Sequence, residues 1–281
     1  MKYTTIISAD DLKPHVNDQD WIIIDCRFSL ADTDAGFTAY RHGHIPNARY
    51  THLDRDLSSQ VTDFTGRHPL PTIATLINKL ESWGVNNNSQ VVVYDDANGA
   101  FAGRLWWLMR YLGHEQVAVL DGGLKHWQRL AYPLTTTLPT IKPCDFRAYI
   151  NQNSVLSAIE VQNNLAQKQL CLVDARTPER YRGEQEPIDP VAGHIPGAFN
   201  RPFQLNLHEE GLFSSADKLR NQFSQLIGTK SPDQVAHMCG SGVTACHNLL
   251  AMEIAGLSGS KLYAGSWSEW ITNKNRPITT K

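Results

Sequence analysis

The chain has 281 residues, 41% hydrophobic and 19% charged, and its 26 Lys and Arg against 28 Asp and Glu leave a formal charge of -2. At roughly 150 residues per domain this length suggests two domains, each able to bury a core, which argues against disorder and against a coiled coil. The near-cancelled charge argues against a polybasic surface, so no nucleic-acid partner is expected; no apolar run approaches the roughly 18 residues that cross a bilayer, so no membrane partner is expected either.

Met1 to Lys13 lacks an apolar stretch and carries Asp10 and Asp11, so a secretory signal is not expected. Ser8 with Asp11 has capping-box spacing for a first helix. Trp21-Ile22-Ile23-Ile24, Val91-Val92-Val93-Tyr94 and Val117-Ala118-Val119-Leu120 are short apolar runs of the kind found in parallel strands covered on both faces. Phe101 to Leu112 reads as a helix ending at Gly113. Thr135 to Pro143, with Pro139 and Pro143, is the best linker candidate. Ser157 with Glu160 opens the next helix, and Leu170-Cys171-Leu172-Val173, Val235-Ala236-His237-Met238 and Lys261-Leu262-Tyr263 are further strands. A helix from Val243 to Ala255 ends at Gly256.

The second set of elements repeats the first. Asp25-Cys26-Arg27 recurs as Asp174-Ala175-Arg176, offset 149, and Gly43-His44-Ile45-Pro46 recurs as Gly193-His194-Ile195-Pro196, offset 150. Gly113 matches Gly256 and Trp127 matches Trp270, both at offset 143, so the first half holds about six extra residues, best placed in Thr62 to Pro71. The expected organisation is an α/β domain over 1–137, a linker over 138–152 and a second α/β domain over 153–281. Each domain would be a parallel sheet flanked by helices. Because Gly-His-Ile-Pro stands in both halves, it reads as a structural turn, and Arg27 and Arg176 read as partners of the aspartates beside them.

The halves differ after their third strands. Tyr94-Asp95-Asp96-Ala97-Asn98-Gly99-Ala100 stands against Met238-Cys239-Gly240-Ser241-Gly242-Val243-Thr244. The carboxyl end of a strand in an open α/β sheet is where ligands bind. Gly240 and Gly242 permit unusual backbone angles, so successive amides can turn inward as an anion nest, and the following helix adds its positive end. Both effects favour a thiolate, which makes Cys239 the candidate nucleophile; Cys26, Cys144, Cys171 and Cys246 read as packing residues. Five cysteines, an odd number without a CxxC pair, suit neither a disulfide scaffold nor a zinc site, and a cytoplasmic location is expected. A cysteine phosphatase would need an arginine six residues after the cysteine, where Ala245 stands.

These features resemble the two-domain rhodanese family, and within it the 3-mercaptopyruvate sulfurtransferase branch. The resemblance rests on Cys239-Gly240-Ser241-Gly242-Val243-Thr244-Ala245-Cys246, both Gly-His-Ile-Pro turns, Gly103-Arg104-Leu105-Trp106-Trp107, Asp121-Gly122-Gly123 and Gly265-Ser266-Trp267-Ser268-Glu269-Trp270. It implies tandem rhodanese-like domains, the first inactive and the second catalytic, with the site in the cleft between them. It also implies a sulfurtransferase that moves a sulfane sulfur from 3-mercaptopyruvate or thiosulfate to cyanide or a thiol through a Cys239 persulfide, with no metal or organic cofactor needed. The partners would be the small-molecule donor and acceptor. A carrier role, handing the persulfide sulfur to a protein, is the alternative reading.

By the same resemblance, Gly240, Gly242, Val243 and Thr244 would hold the donor, and the absence of basic residues directly after Cys239 matches the mercaptopyruvate type. Ser241 and His68 match the serine and histidine of a serine–histidine–aspartate relay, but the aspartate position falls on Ser58. Arg180 matches an arginine that binds the donor's anionic group. The second such arginine is replaced by Ile188 and Asp189, which leaves Arg201, and Arg104 from the first domain, as candidate substitutes.

Overall fold

Ten short strands form two five-stranded, all-parallel sheets in a computed structural model that describes residues 2–167 and 169–280. The first sheet holds β1 (Ile6–Ile7), β2 (Trp21–Asp25), β3 (Arg49–Tyr50), β4 (Gln90–Tyr94) and β5 (Val117–Leu120) in the order β1-β5-β4-β2-β3. The second holds β6 (Val155–Leu156), β7 (Cys171–Asp174), β8 (Phe199–Asn200), β9 (Val235–Met238) and β10 (Lys261–Tyr263) in the order β6-β10-β9-β7-β8. The orders are identical, as a duplication requires. The strands placed by their apolar runs occur where expected. The two-residue strands β1, β3, β6 and β8 were not anticipated.

Every residue of β4 and of β9 is buried, because helices cover both faces of these central strands. The first core gathers Ile23, Val92, Ala118 and Trp127; the second gathers Leu172, Ala236, Met238, Trp267 and Trp270. Ser8 caps its helix, accepting from Asp11 N at 3.0 Å, and Ser157 forms the full capping box, with Ser157 N donating to Glu160 Oε2 at 2.7 Å and Glu160 N to Ser157 Oγ at 3.3 Å. The helices Ala102–Tyr111 and Ala245–Ile254 end close to Gly113 and Gly256, whose φ angles of 83° and 70° suit glycine.

The chain divides into two compact units that do not coincide with its halves. One comprises Met1–Ser59, Leu70–Asn151 and Glu210–Leu212; the other comprises Gln60–Pro69, Gln152–Glu209 and Phe213–Lys281. Two consequences differ from the sequence expectation. The extra loop of the first half, residues 60–69, belongs to the second unit. The expected linker, up to Asn151, belongs to the first. Its amides donate to carbonyls at helix ends. Cys144 N donates to Glu81 O at 3.1 Å, Tyr149 N to Leu112 O at 2.8 Å and Asn151 N to Tyr111 O at 2.9 Å.

Both Gly-His-Ile-Pro segments are structural. Arg27 grips Asp25 at 2.6 Å and donates to Gly43 O at 2.8 Å; Arg176 grips Asp174 at 2.7 Å and donates to Gly193 O at 2.7 Å. His44 Nδ1 pairs with Tyr40 O at 2.8 Å and His194 Nδ1 with Tyr181 O at 2.7 Å. Each buried arginine thus ties a strand end to the Gly-His-Ile-Pro turn of its unit. Among the described residues no helix is long and apolar enough to cross a membrane.

Candidate active site

Cys239 follows β9 directly, and six residues later the chain is helical. Two glycines and one serine shape this turn. Gly242 has φ 75°, and a Cβ there would lie 2.2 Å from Ala264 O, so only glycine fits without displacing backbone. Ser266, also left-handed at φ 55°, accepts the Cys239 amide on Oγ at 3.1 Å and donates to Tyr263 O at 2.9 Å. Trp267 N donates to Cys239 O at 3.0 Å and Ser268 N to Gly240 O at 2.8 Å. The turn is therefore laced to the segment after β10. Val243 and Thr244 close it: their carbonyls accept from Cys246 N at 3.1 Å and His247 N at 3.2 Å, starting the helix whose positive end faces the turn.

The first unit holds the same turn with its cradle filled. Asp95, fully buried, accepts at 2.8 Å from each of the amides of Ala97, Gly99, Phe101 and Ala102. Burial pushes this carboxyl up from its ordinary range, and the four amides oppose that shift. A turn that gathers four N–H groups onto one carboxylate is an anion nest by construction. Asn98 at φ 56° occupies the place of Gly242.

The remaining thiols pack. Cys26 is buried against Ile24 O, and its pKa is pushed well up by burial and then by the charges of Asp95 and Asp25. Burial also raises Cys171. Cys246 donates to Gly242 O at 3.3 Å, and Cys144, half-buried, to Lys142 O at 3.7 Å.

Side chains distant in sequence converge on the Cys239 turn within the second unit. His68 Nδ1 lies 2.7 Å from Ser241 Oγ, with both residues buried. Ser58, at the place of the expected relay aspartate, lies in the first unit; its buried hydroxyl has no hydrogen-bond partner among the described residues. Arg180 is held by Glu186 at 2.8 Å and by Asp189 at 3.0 Å, and a Cβ on Gly240 would lie 3.4 Å from Arg180 Nη2.

Two expected residues sit elsewhere. Arg201 donates to Asn206 Oδ1 at 3.0 Å and Gln222 Oε1 at 2.9 Å and lies over the Phe223 ring. Burial lowers it to about 10, and its partners are internal amide side chains rather than the Cys239 turn. Arg104 is fully buried in the first unit, with Nη2 3.5 Å from Leu57 O.

Sequence reasoning missed Arg67, Ser266 and Ser268. Arg67 N donates to Ser268 Oγ at 3.1 Å, and Arg67 Nη1 pairs with Asp189. Aligning Gly123 with Ser266, both at φ 55°, would have singled out a serine where the duplicate keeps glycine. Nothing local in sequence links Arg67 to Asp189.

Comparison with known proteins identifies the family. The Rhodanese-like domain family matches residues 8–130 and 157–273. A probable 3-mercaptopyruvate sulfurtransferase of Pseudomonas aeruginosa is 45% identical over 100% of this chain and 99% of its own. A putative thiosulfate sulfurtransferase of Mycobacterium tuberculosis is 36% identical over 97% of this chain and 96% of its own. The solved structure of a 3-mercaptopyruvate sulfurtransferase from Leishmania major superposes with a TM-score of 0.84 at 28% identity, covering 98% of this chain and 75% of that one.

Proposed function

Because the chain belongs to the family built from rhodanese-like domains, we propose that it is a sulfurtransferase that carries sulfane sulfur as a persulfide on Cys239. The donors are 3-mercaptopyruvate or thiosulfate, the acceptors a thiol or cyanide, and the place of action is the cytoplasm, where the thiol stays reduced. The observation that carries this reading is the Cys239 turn, whose twin in the first unit wraps four amides around the Asp95 carboxylate.

In the first step the Cys239 thiolate attacks the donor's outer sulfur. With thiosulfate, the S–S bond breaks and sulfite leaves with the electron pair. With 3-mercaptopyruvate, the C–S bond breaks, the electron pair goes to carbon as the enolate of pyruvate, and the thiol proton must be moved. In the second step cyanide or a thiolate attacks the outer persulfide sulfur and Cys239 leaves as thiolate. Splitting one transfer into two is covalent catalysis, and the amides of the turn face negative charge in both stages. The Ser241–His68 pair lies beside the turn and is placed to take the mercaptopyruvate thiol proton and return it to the enolate carbon. Gly240 and Ser241 put no basic residue directly after Cys239 in the chain, which favours the monocarboxylate donor over the dianion.

The test is intact mass spectrometry after exposure to each donor, followed by thiocyanate formation from cyanide. The wild-type chain should gain the mass of one sulfur atom on Cys239 and turn over; Cys239→Ser should do neither. Full turnover by Cys239→Ser would overturn the proposal.

A further inference from the structure

Arg67 carries no role in the mechanism above, yet its guanidinium stands at the reacting turn. A Cβ built on Gly240 would lie 2.8 Å from Arg67 Nη2, and 3.4 and 3.5 Å from Arg180 Nη2 and Nη1. Two guanidiniums therefore converge on the residue next to the nucleophile. Burial lowers the pKa of Arg67, and the leading influence opposing this is the electrostatic contribution of Cys239.

The position of Arg67 is built rather than incidental. Its backbone amide is held by Ser268 Oγ at 3.1 Å, and Ser268 in turn holds Gly240 O at 2.8 Å. Gly66 packs so closely that a Cβ there would lie 2.6 Å from Gly265 O. Asp189, its side chain 2% exposed, aims the guanidinium: one carboxylate oxygen pairs with Arg67 Nη1 and the other with Arg180 Nη2 at 3.0 Å. Glu186 takes the other edge of Arg180 through Nε at 3.0 Å, and also pairs with Arg176 at 3.3 Å. Arg67 keeps donors in reserve. Its Nε is buried with no hydrogen-bond partner among the described residues, and its Nη2 faces Gly240.

From this geometry we propose that Arg67, paired with Arg180, is a donor-binding residue that seats the donor's anionic group, with Asp189 as the positioning residue that limits the charge of the seat. The proposal rests on the sulfurtransferase reading for the identity of the donor. Arg67, Arg176 and Arg180 are matched one for one by Asp174, Glu186 and Asp189. A seat already neutral receives one negative charge with little repulsion, whereas a second must approach the Asp189 and Glu186 carboxylates. The seat therefore prefers an α-keto monocarboxylate to dianionic thiosulfate.

Two measurements test this. The first is steady-state kinetics with both donors; the second is the rate at which Cys239 is alkylated by iodoacetate relative to its uncharged isostere iodoacetamide, read by peptide mass. Arg67→Gln should raise KM for 3-mercaptopyruvate about tenfold with kcat held within about twofold, and should lower the iodoacetate-to-iodoacetamide rate ratio about tenfold. Arg67→Lys should recover part of both. Asp189→Asn should shift the kcat/KM ratio towards thiosulfate. An Arg67→Gln variant with unchanged KM and unchanged alkylation ratio overturns the seat, as does a fall in kcat at constant KM for both donors. Asp189→Asn without a gain for thiosulfate overturns the part assigned to Asp189. Charge-selective alkylation without any sulfur transfer would keep the seat and reject the sulfurtransferase reading.

Discussion

The amide of Cys239 donates to Ser266 Oγ at 3.1 Å, and Ser266 reaches that position only by adopting a left-handed backbone at φ 55°. A β-carbon in this region carries strain, which glycine avoids, and the twin turn has Gly123 at the same φ of 55°. The hydroxyl is thus what the second unit gains for a less comfortable backbone. Ser266→Ala keeps the strain and leaves the Cys239 amide without its acceptor, costing about 1–3 kcal/mol in denaturant unfolding. Ser266→Gly loses the same bond but relaxes the backbone, so it should be less damaging by about 1 kcal/mol. Equal stability of the two variants would show that the strain is not real.

The glycines of the turn should answer differently to the same substitution. At Gly242 the φ of 75° and the Ala264 carbonyl 2.2 Å from a Cβ leave alanine nowhere to go, so Gly242→Ala should cost more than about 1 kcal/mol and abolish persulfide formation. At Gly240 the nearest obstacle is a side-chain end, Arg67 Nη2 at 2.8 Å, rather than backbone. Gly240→Ala should fold with nearly wild-type stability and show its effect in KM. Thermal unfolding beside donor kinetics separates the two cases, and a matching loss of stability at both positions would refute the distinction.

His68 faces Ser241 at 2.7 Å, and only one of the two donors brings a proton to be moved. His68→Asn should therefore lower kcat/KM for 3-mercaptopyruvate about a hundredfold more than for thiosulfate, within the usual range for general acid–base catalysis. Side-by-side kinetics decide it: an equal loss on both donors would make His68 a packing residue.

Acid should loosen the second unit through His237. Burial holds this imidazole at about 3 against an ordinary 6.5, with Met252 sulfur 3.0 Å from Nε2 and the Arg201 charge also lowering it. The unfolded chain therefore binds a proton that the folded chain refuses between these two values. Stability is fully present above pH 6.5 and drains as the pH falls through the window towards about 3. Denaturant midpoints at neutral and mildly acid pH should converge in His237→Gln relative to wild type. An identical acid-induced drop in the variant would assign the effect to other groups.

What could be read from sequence follows from how local each signal is. A buried parallel strand announces itself as a run of apolar residues, so β2, β4, β5, β7, β9 and β10 were legible, as was the Cys239 turn with its framing glycines. Two-residue strands such as Ile6–Ile7 and Phe199–Asn200 have no room for a pattern and exist because a neighbouring strand offers them partners. The resemblance led from Ile188 and Asp189 to Arg201 as a substitute arginine. The structure instead places Asp189 between Arg67 and Arg180, a pairing 122 residues apart in sequence that only the folded chain brings together. Arg201 was misplaced because sequence gives no sign that Asn206, Gln222 and Phe223 surround it.

Residues 60–69 and 210–212 each lie in the unit built mainly from the opposite half of the chain. Each half of the chain therefore places a segment in the unit built mainly by the other. A nascent first half emerges carrying ten residues, Arg67 and His68 among them, that find their lasting place only once the second sheet has formed. Severing the chain near Asn151 would strand these residues on the fragment without the nucleophile, so the second half, expressed alone, would keep Cys239, Ser241, Arg180 and Ser266 but lack His68 and Arg67.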